Sequence, residues 1–380
     1  MKILQINASY KPAYTYGGPT MSVAKLSEQL VHAGCVVEVF TTTANGATEL
    51  SVQPNNKTLV DGVEVTYFKR LSKDHTHFSP ALLIKLWQEV PNFELVHIHA
   101  WWNLVSVFSA LIALIKKTPV LISPRGTLSS YSFKNKNGFV KNLMHNLLGK
   151  CLLNRSYLHA TSDAEQKALA ILIKPKMVFD IPNFVKIAPL LPRYMELDKP
   201  ILKLLFLSRI EEKKGLDILI NALPALRIPY HLTIAGSGDE SYIDLLKNIA
   251  RYNLSSPNIT WIGFQNETKF DILRNHHLLI LPSYDENFGN VVIESLSVGT
   301  PVLISEHVGL ADYVVKNNFG WLCQTITQSV SDRINNIAVN QMEHITHIRH
   351  TAPAIIHNDF DDDKLIKKYM EMYRQIINHG

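Results

Sequence analysis

The chain has 380 residues, with 38 Lys+Arg against 33 Asp+Glu and a formal charge of +5; it is long enough for two domains with separate cores, and its modest charge sets it apart from disordered or collagenous chains. The charge is uneven, because residues 1 to 185 hold 19 basic and 11 acidic side chains (+8) and residues 186 to 380 hold 19 and 22 (−3); the basic half suits an acidic substrate or an anionic bilayer face, and no nucleic acid partner is expected. Three scattered cysteines, Cys35, Cys151 and Cys323, without a C-x-x-C pair, argue for a reducing compartment and against a zinc site.

Short β-branched runs alternate with helical periods along nearly the whole chain, the pattern of parallel α/β layers. KILQIN opens as a strand and TMSVAKLSEQLVHAG follows as a helix. Then come the strand VVEVFTT, the hairpin-like VDGVEVTYF, the strand ELVHIHA, and a helix through residues 104 to 117. PVLIS, a helix near 139 to 153, SYLHATS, a further helix and MVFDIP complete the first half. The opening MKILQINAS lacks the apolar core and cleavage site of a signal peptide, and VSVFSALIALI is too short to span a membrane, so a cytoplasmic location is expected.

Residues 183 to 200, NFVKIAPLLPRYMELDKP, contain three prolines and no steady period, and read as a linker. Beyond it LKLLFLS, YHLTIAG, NITWIG, HLLILPS and PVLIS read as strands separated by helices. The expected fold is α/β with two Rossmann-like doubly wound sheets facing across a cleft: residues 1–185, residues 186–362, and a C-terminal helix, 363–380, packing back on the first domain. The acidic run at 361 to 363 is expected to break and cap that last helix rather than bind a metal.

In ENFGNVVIESLSVG, Glu286 lies in a loop and Glu294 inside a short buried helix closed by Gly299. The amides around Phe288, Gly289 and Asn290 then form a helix N-terminus, an anion site by geometry and dipole. An anion flanked by two carboxylates that seek hydroxyl groups describes a sugar nucleotide. At the first strand end of the same half, SRIEEKKG brings Arg209 and Lys214 to a strand-to-helix loop. Their fork and point charge suit two phosphates, although Glu211 and Glu212 could neutralise them locally. Gly236 and Gly238 in IAGSGDE stand where backbone can approach a ligand closely. GFQNE, from Gly263, could edge a nucleobase.

In the first half Gly17 and Gly18 precede a helix and can present N–H groups to a sugar or phosphate; the G-x-G-x-x-G fingerprint of dinucleotide binding is absent. HIHAWW places His97 and His99 on one side of a strand. His97 reads as a satisfied core histidine and His99, at the strand's lip, as functional; spacing supplies no third ligand for zinc. SPRG puts Arg125 and Gly126 at another strand end. Phe139, Leu143, Leu147 and Cys151 recur every four residues in the basic helix that follows, a pattern that burial or membrane contact would explain equally.

Taken together, the E-x7-E pair, Arg209 and Lys214, the GGP loop, HIHAWW, and the TSDAEQ and IPNF elements resemble the GT-B glycosyltransferases, specifically the retaining glycosyltransferase family 4, over essentially the whole chain. The resemblance implies a nucleotide-sugar donor, such as a UDP- or GDP-sugar, on the C-terminal domain and a glycan or lipid-linked acceptor on the N-terminal one, where Arg125 would serve. It implies that Glu286 holds donor-sugar hydroxyls, that Phe288 to Asn290 assist, that Glu294 holds the ribose and that His99 approaches the donor sugar. No cofactor or divalent metal is implied, and surface-polysaccharide synthesis is the expected setting. Phe184 and Ser208 stand where the family often has glycine. A nucleotide-sugar 2-epimerase and a silent nucleotide-sugar-binding module are the alternatives.

Overall fold

In a computed structural model, residues 1–134, 138–190, 201–253 and 258–379 are described. They form two compact units: Met1–Phe184 with Asp362–Gly380, and Val185–Asp361. Asn183 and Phe184 close the first unit, while Val185 and Ala188 are buried in the core of the second. Of the linker expected at 183 to 200, residues 191 to 200 lie outside the described residues.

Unit 1 is built on an eight-stranded sheet whose order is Val178–Asp180, Tyr157–Ala160, Val120–Ser123, Leu95–His99, Lys2–Ile6, Val36–Thr42, Val63–Phe68 and Lys57–Val60. All pairings are parallel except the last, a hairpin whose two-residue turn, Asp61-Gly62, has both residues at positive φ; that mirror-image turn matches the strands' right-handed twist. The order of the strands changes sense beside the first strand, with Val36–Thr42 on one flank and Leu95–His99 on the other. Such a switch point leaves a crevice beyond the strand ends.

The helix Asp362–His379 belongs to this unit. Its apolar stripe, Leu365, Ile366, Tyr369, Met372, Tyr373 and Ile376, recurs at helical spacing and is buried with Ile3, Val23, Leu26 and Leu95. Asp362 opens the helix and pairs with Lys25 at 2.8 Å.

Unit 2 carries a six-stranded, wholly parallel sheet in the order Ile259–Gly263, Tyr230–Ala235, Leu202–Leu207, Leu278–Leu281, Val302–Ser305, Gly320–Cys323. Helices cover both faces, so LKLLFL and LLIL are continuous apolar runs instead of alternating ones. The last strand, GWLC, escapes a sequence reading because it is four residues long, opens on glycine and follows the turn-like Asn317-Asn318. Here the switch point lies between Leu202–Leu207 and Leu278–Leu281. The loops leaving those two strands carry Arg209 to Lys214 and Glu286 to Asn290.

Candidate active site

In unit 2 the two loops are fastened to each other before any side chain is considered. Tyr284 N donates to Lys213 O at 2.8 Å. Gly215 has φ +69° and packs so closely on Pro282 that a Cβ would stand 2.1 Å from its carbonyl oxygen, so only glycine fits. Glu286 is fixed through its backbone, with its N–H on His307 O at 3.1 Å and its C=O accepting from Gly309 N at 2.8 Å. The side chains then meet: Lys214, buried, donates from Nζ to Glu286 Oε2. Burial alone would raise the Glu286 carboxyl, but Lys214, Lys213 and Arg209 outweigh it and hold the group below the ordinary glutamate value. Burial, with Lys214 alongside, pulls the Lys213 ammonium down. Arg209 is bound to Glu211 at 2.6 Å, the local neutralisation that the sequence allows.

The helix Asn290–Ser297 begins at Gly289, which caps it with φ +91°. Phe288 is buried against Phe360. Among the described residues the amides of Phe288 and Gly289 donate to no protein acceptor. Free N–H groups at a helix start, beside Lys214, make a site of positive potential suited to an oxyanion.

Within that helix Glu294 is 9% exposed. Its Oε1 accepts from Lys269 Nζ at 2.6 Å, and Oε2 has no protein partner. Each member of the glutamate pair therefore has its own lysine. Lys269 carried no sequence signal, since it lies 25 residues away on another helix.

Gly236 and Gly238, expected where backbone can approach a ligand closely, are themselves closely approached by protein backbone. A Cβ on Gly236 would lie 1.9 Å from Ser208 O, and one on Gly238 would lie 2.0 Å from Ile210 O. The space is already filled by the protein's own backbone. Ile210 N donates to Ser237 O at 2.8 Å, so these glycines brace the loop that carries Arg209.

Unit 1 places Gly17 at the N-cap of the helix Gly18–His32, with φ +66°. Its N–H is committed to Tyr14 O at 2.9 Å, so this amide is not presented outward as expected. His99 ends its strand, yet it does not stand at an open lip: it is wholly buried, its ring 4.1 Å from that of His97. Arg125 Nε donates to His99 Nδ1 at 3.2 Å, which fixes the ring proton on Nε2, and Nε2 donates to Gln5 Oε1 at 2.6 Å. Gln5 Nε2 donates to Tyr373 OH at 3.3 Å, and that hydroxyl donates to His97 Nδ1 at 2.8 Å. His97 Nε2 donates to Ser123 Oγ, Ser123 to His159 Nδ1, each at 2.7 Å, and His159 Nε2 to Ile181 O at 2.8 Å. One proton arrangement satisfies every member, with all three imidazoles neutral. Burial first, then neighbouring positive groups including Arg125, holds His97 and His99 well below the ordinary histidine value and pushes His159 down to about 3. Gly126 N donates to Glu165 Oε1 at 2.8 Å, and Glu165 Oε2 takes Thr161 N and Oγ1 at 2.9 and 3.0 Å. Gln5, Ser123, Glu165 and Asn183 escaped the sequence reading because their partners are distant in the chain.

Two family descriptions match the chain: "Glycosyltransferase Family 4" over residues 16–188 and "Glycosyl transferases group 1" over residues 196–352. The chain belongs to the glycosyltransferases of family 4 type, and its fold is GT-B. It is 26% identical over 175 residues to an uncharacterized glycosyltransferase of Methanocaldococcus jannaschii, a match covering 45% of this chain and 44% of that one, so the chain matches less than half the length of that relative. It is 25% identical over 352 residues to a glycogen synthase of Mycobacterium tuberculosis, covering 85% and 82% of the two chains. The crystal structure of Anabaena HepE in complex with UDP-glucose shares the fold, with a TM-score of 0.76 at 20% identity, covering 99% of this chain and 100% of that one.

Proposed function

We propose that the protein is a retaining glycosyltransferase that moves a sugar from a nucleotide-sugar donor, a UDP- or GDP-sugar, to a hydroxyl of a glycan or lipid-linked acceptor in surface-polysaccharide synthesis. The observation that carries this reading is the cluster in unit 2: Lys214 bound to Glu286 at the start of a helix whose first amides are unclaimed. Breaking a sugar–phosphate bond gathers negative charge on the departing diphosphate. Lys214, Arg209 and the amides of Phe288 and Gly289 meet that charge as it forms, and fixed donors of this kind lower a barrier without reorganising. Glu286, ionised beside its lysine, accepts hydrogen bonds from the donor sugar's hydroxyls, and Glu294 accepts them from the ribose. Asn290, the first residue of that helix, assists at the same terminus. Because the cations offset the leaving group's negative charge, transfer proceeds without a divalent metal in this reading, and chelation with EDTA is expected to leave the rate unchanged. The UDP-glucose complex of HepE supports the donor class.

The acceptor falls to unit 1. His99, fully enclosed, serves there through Arg125, whose Nε it receives. Peripheral contact with an anionic bilayer belongs to the same reading. Residues 95 to 162 hold eight Lys and Arg and no Asp or Glu. Leu143 and Leu147 are 49% and 74% exposed, so burial does not account for that stripe, and Lys150 and Cys151 are exposed beside them. Apolar side chains ringed by lysines suit an interfacial segment. No helix among the described residues is long and apolar enough to cross a membrane.

The test is nucleotide release from a panel of UDP- and GDP-sugars, with and without glycan acceptors, for the native chain and for Arg209→Ala and Lys214→Ala. Turnover is expected to fall about a hundredfold or more in each folded variant, the scale for losing one transition-state donor. Near-native rates in both would remove these residues from the chemistry. Isomerisation of donor alone would instead identify a 2-epimerase, and nucleotide binding without turnover a silent module.

A further inference from the structure

Arg125 carries a charge that has no ion-pair partner among the described residues of unit 1. All its protein partners are neutral: His99 Nδ1 at 3.2 Å from Nε, and Ser22 Oγ and Asn183 Oδ1 at 2.8 and 2.6 Å from Nη1. No described carboxylate forms an ion pair with it. Glu165, an acid close enough to act on it, has both oxygens engaged by Gly126 and Thr161. Tyr369 and Tyr373 face it as neutral phenols, their ionisation pushed up by burial. Enclosed charges in proteins are normally paired, and a lone one is costly to keep.

Two further observations point the same way. Nη2 has no protein partner and is not among the buried unpartnered atoms, so it reaches solvent. The backbone is held in the left-handed region at Arg125, φ +53°, and at Ala100 after His99, φ +61°, a strain that non-glycine residues adopt where the surroundings enforce it. His99 and Arg125 lie at or just beyond adjacent strand ends beside the unit's switch point, and Ser22 lies in the second turn of the helix Gly18–His32, whose N-terminus adds positive potential.

We infer that Arg125 is the anchor of an oxyanion-binding site in unit 1, with Nη2 as the donor to a phosphate group. A guanidinium held on its Nε and Nη1 by neutral partners keeps its full charge for a ligand, and phosphate matches its planar donors. The site itself does not depend on the proposed reaction. Its assignment to the acceptor does rest on that reading, and makes the acceptor one that bears a phosphate.

The experiment is thermal unfolding of the full chain in increasing inorganic phosphate, against chloride at equal ionic strength, in the Arg209→Ala/Lys214→Ala background, which removes two cations of the unit 2 site. A melting temperature that rises with the logarithm of phosphate is expected, as for any ligand of the folded state. Adding Asn183→Asp places a carboxylate where Oδ1 already stands 2.6 Å from Nη1. That variant is expected to melt higher than its parent without phosphate and to lose the phosphate-dependent rise; Arg125→Gln is expected to lose the rise as well. A rise that survives both substitutions, or no rise in the background, overturns the site. In the otherwise native chain, Asn183→Asp then locates the source. A tenfold or larger increase in acceptor KM with UDP or GDP affinity unchanged assigns the phosphate to the acceptor, and weakened nucleotide binding assigns it to the donor's diphosphate. A chain that transfers no sugar but keeps the Arg125-dependent phosphate response retains the site while the transferase reading fails.

Discussion

Lys269 holds Glu294 by one oxygen at 2.6 Å and leaves the other to solvent. The lysine thereby fixes the rotamer of a carboxylate that, on the proposed reading, receives ribose hydroxyls. Lys269→Met is expected to weaken UDP or GDP binding about tenfold, the scale of a single charge-assisted hydrogen bond. It should also shrink the preference for the ribonucleotide over its 2′- and 3′-deoxy forms, while kcat at saturating donor stays near native. Calorimetric titration with the three nucleotides checks this. An unchanged ribose preference would mean that the lysine only stabilises its helix.

Gly236 and Gly238 brace the Arg209 loop by contact between backbones. Alanine at either position forces Ser208 or Ile210 to move, because a Cβ at 1.9 or 2.0 Å from a carbonyl oxygen cannot be accommodated. Each substitution is expected to destabilise unit 2 by about 2 kcal/mol or more, the range for strain without relief. Donor affinity should fall with it, because the loop that carries Arg209 is displaced. Urea unfolding followed beside nucleotide titration separates the two effects.

The buried imidazole chain makes unit 1 sensitive to acid. His159 is fully buried and has its folded pKa pushed down from 6.5 to about 3. Between those values the unfolded chain binds the proton and the folded one does not, so stability is complete above about pH 6.5 and is lost as pH falls toward 3. His77 and His277, each pushed down to about 4 by burial, act in the same sense. The His159 contribution alone is on the order of 5 kcal/mol across that window. Melting temperatures from pH 8 to pH 4 should drop progressively, and His159→Gln should flatten the slope while lowering the plateau.

Leu147→Glu, and Leu143→Glu less strongly, are expected to abolish sedimentation of the protein with vesicles containing anionic phospholipid while leaving transfer to a water-soluble acceptor intact. Neutral vesicles should bind weakly in all cases, and binding should fade with salt. Equal sedimentation of native protein and variants would take this stripe out of any membrane contact.

The fold was legible because its signals are local. Apolar runs such as LLIL, turn residues such as Asp61-Gly62, and the switch from strand to helical period need no partner to be read. The glutamate pair was legible for a similar reason, since a loop residue, a capping glycine and a buried helix lie within nine consecutive positions, Glu286 to Glu294. What escaped is non-local. Lys269 reaches Glu294 and Asn183 reaches Arg125 only after the sheets have formed. Burial of His99 followed from Gln5 and Arg125 closing on it from two other strand ends, which strand position alone does not reveal. Gly236 and Gly238 were recognisable as sites of close approach, but the approaching group is the neighbouring loop.

Tyr373, 276 residues beyond His97, donates into the centre of the first sheet. During synthesis on the ribosome, the helix that completes unit 1 thus emerges only after every residue of unit 2 is available. The inserted unit can finish folding first, and the opening half must wait with an unfilled seam until that helix follows.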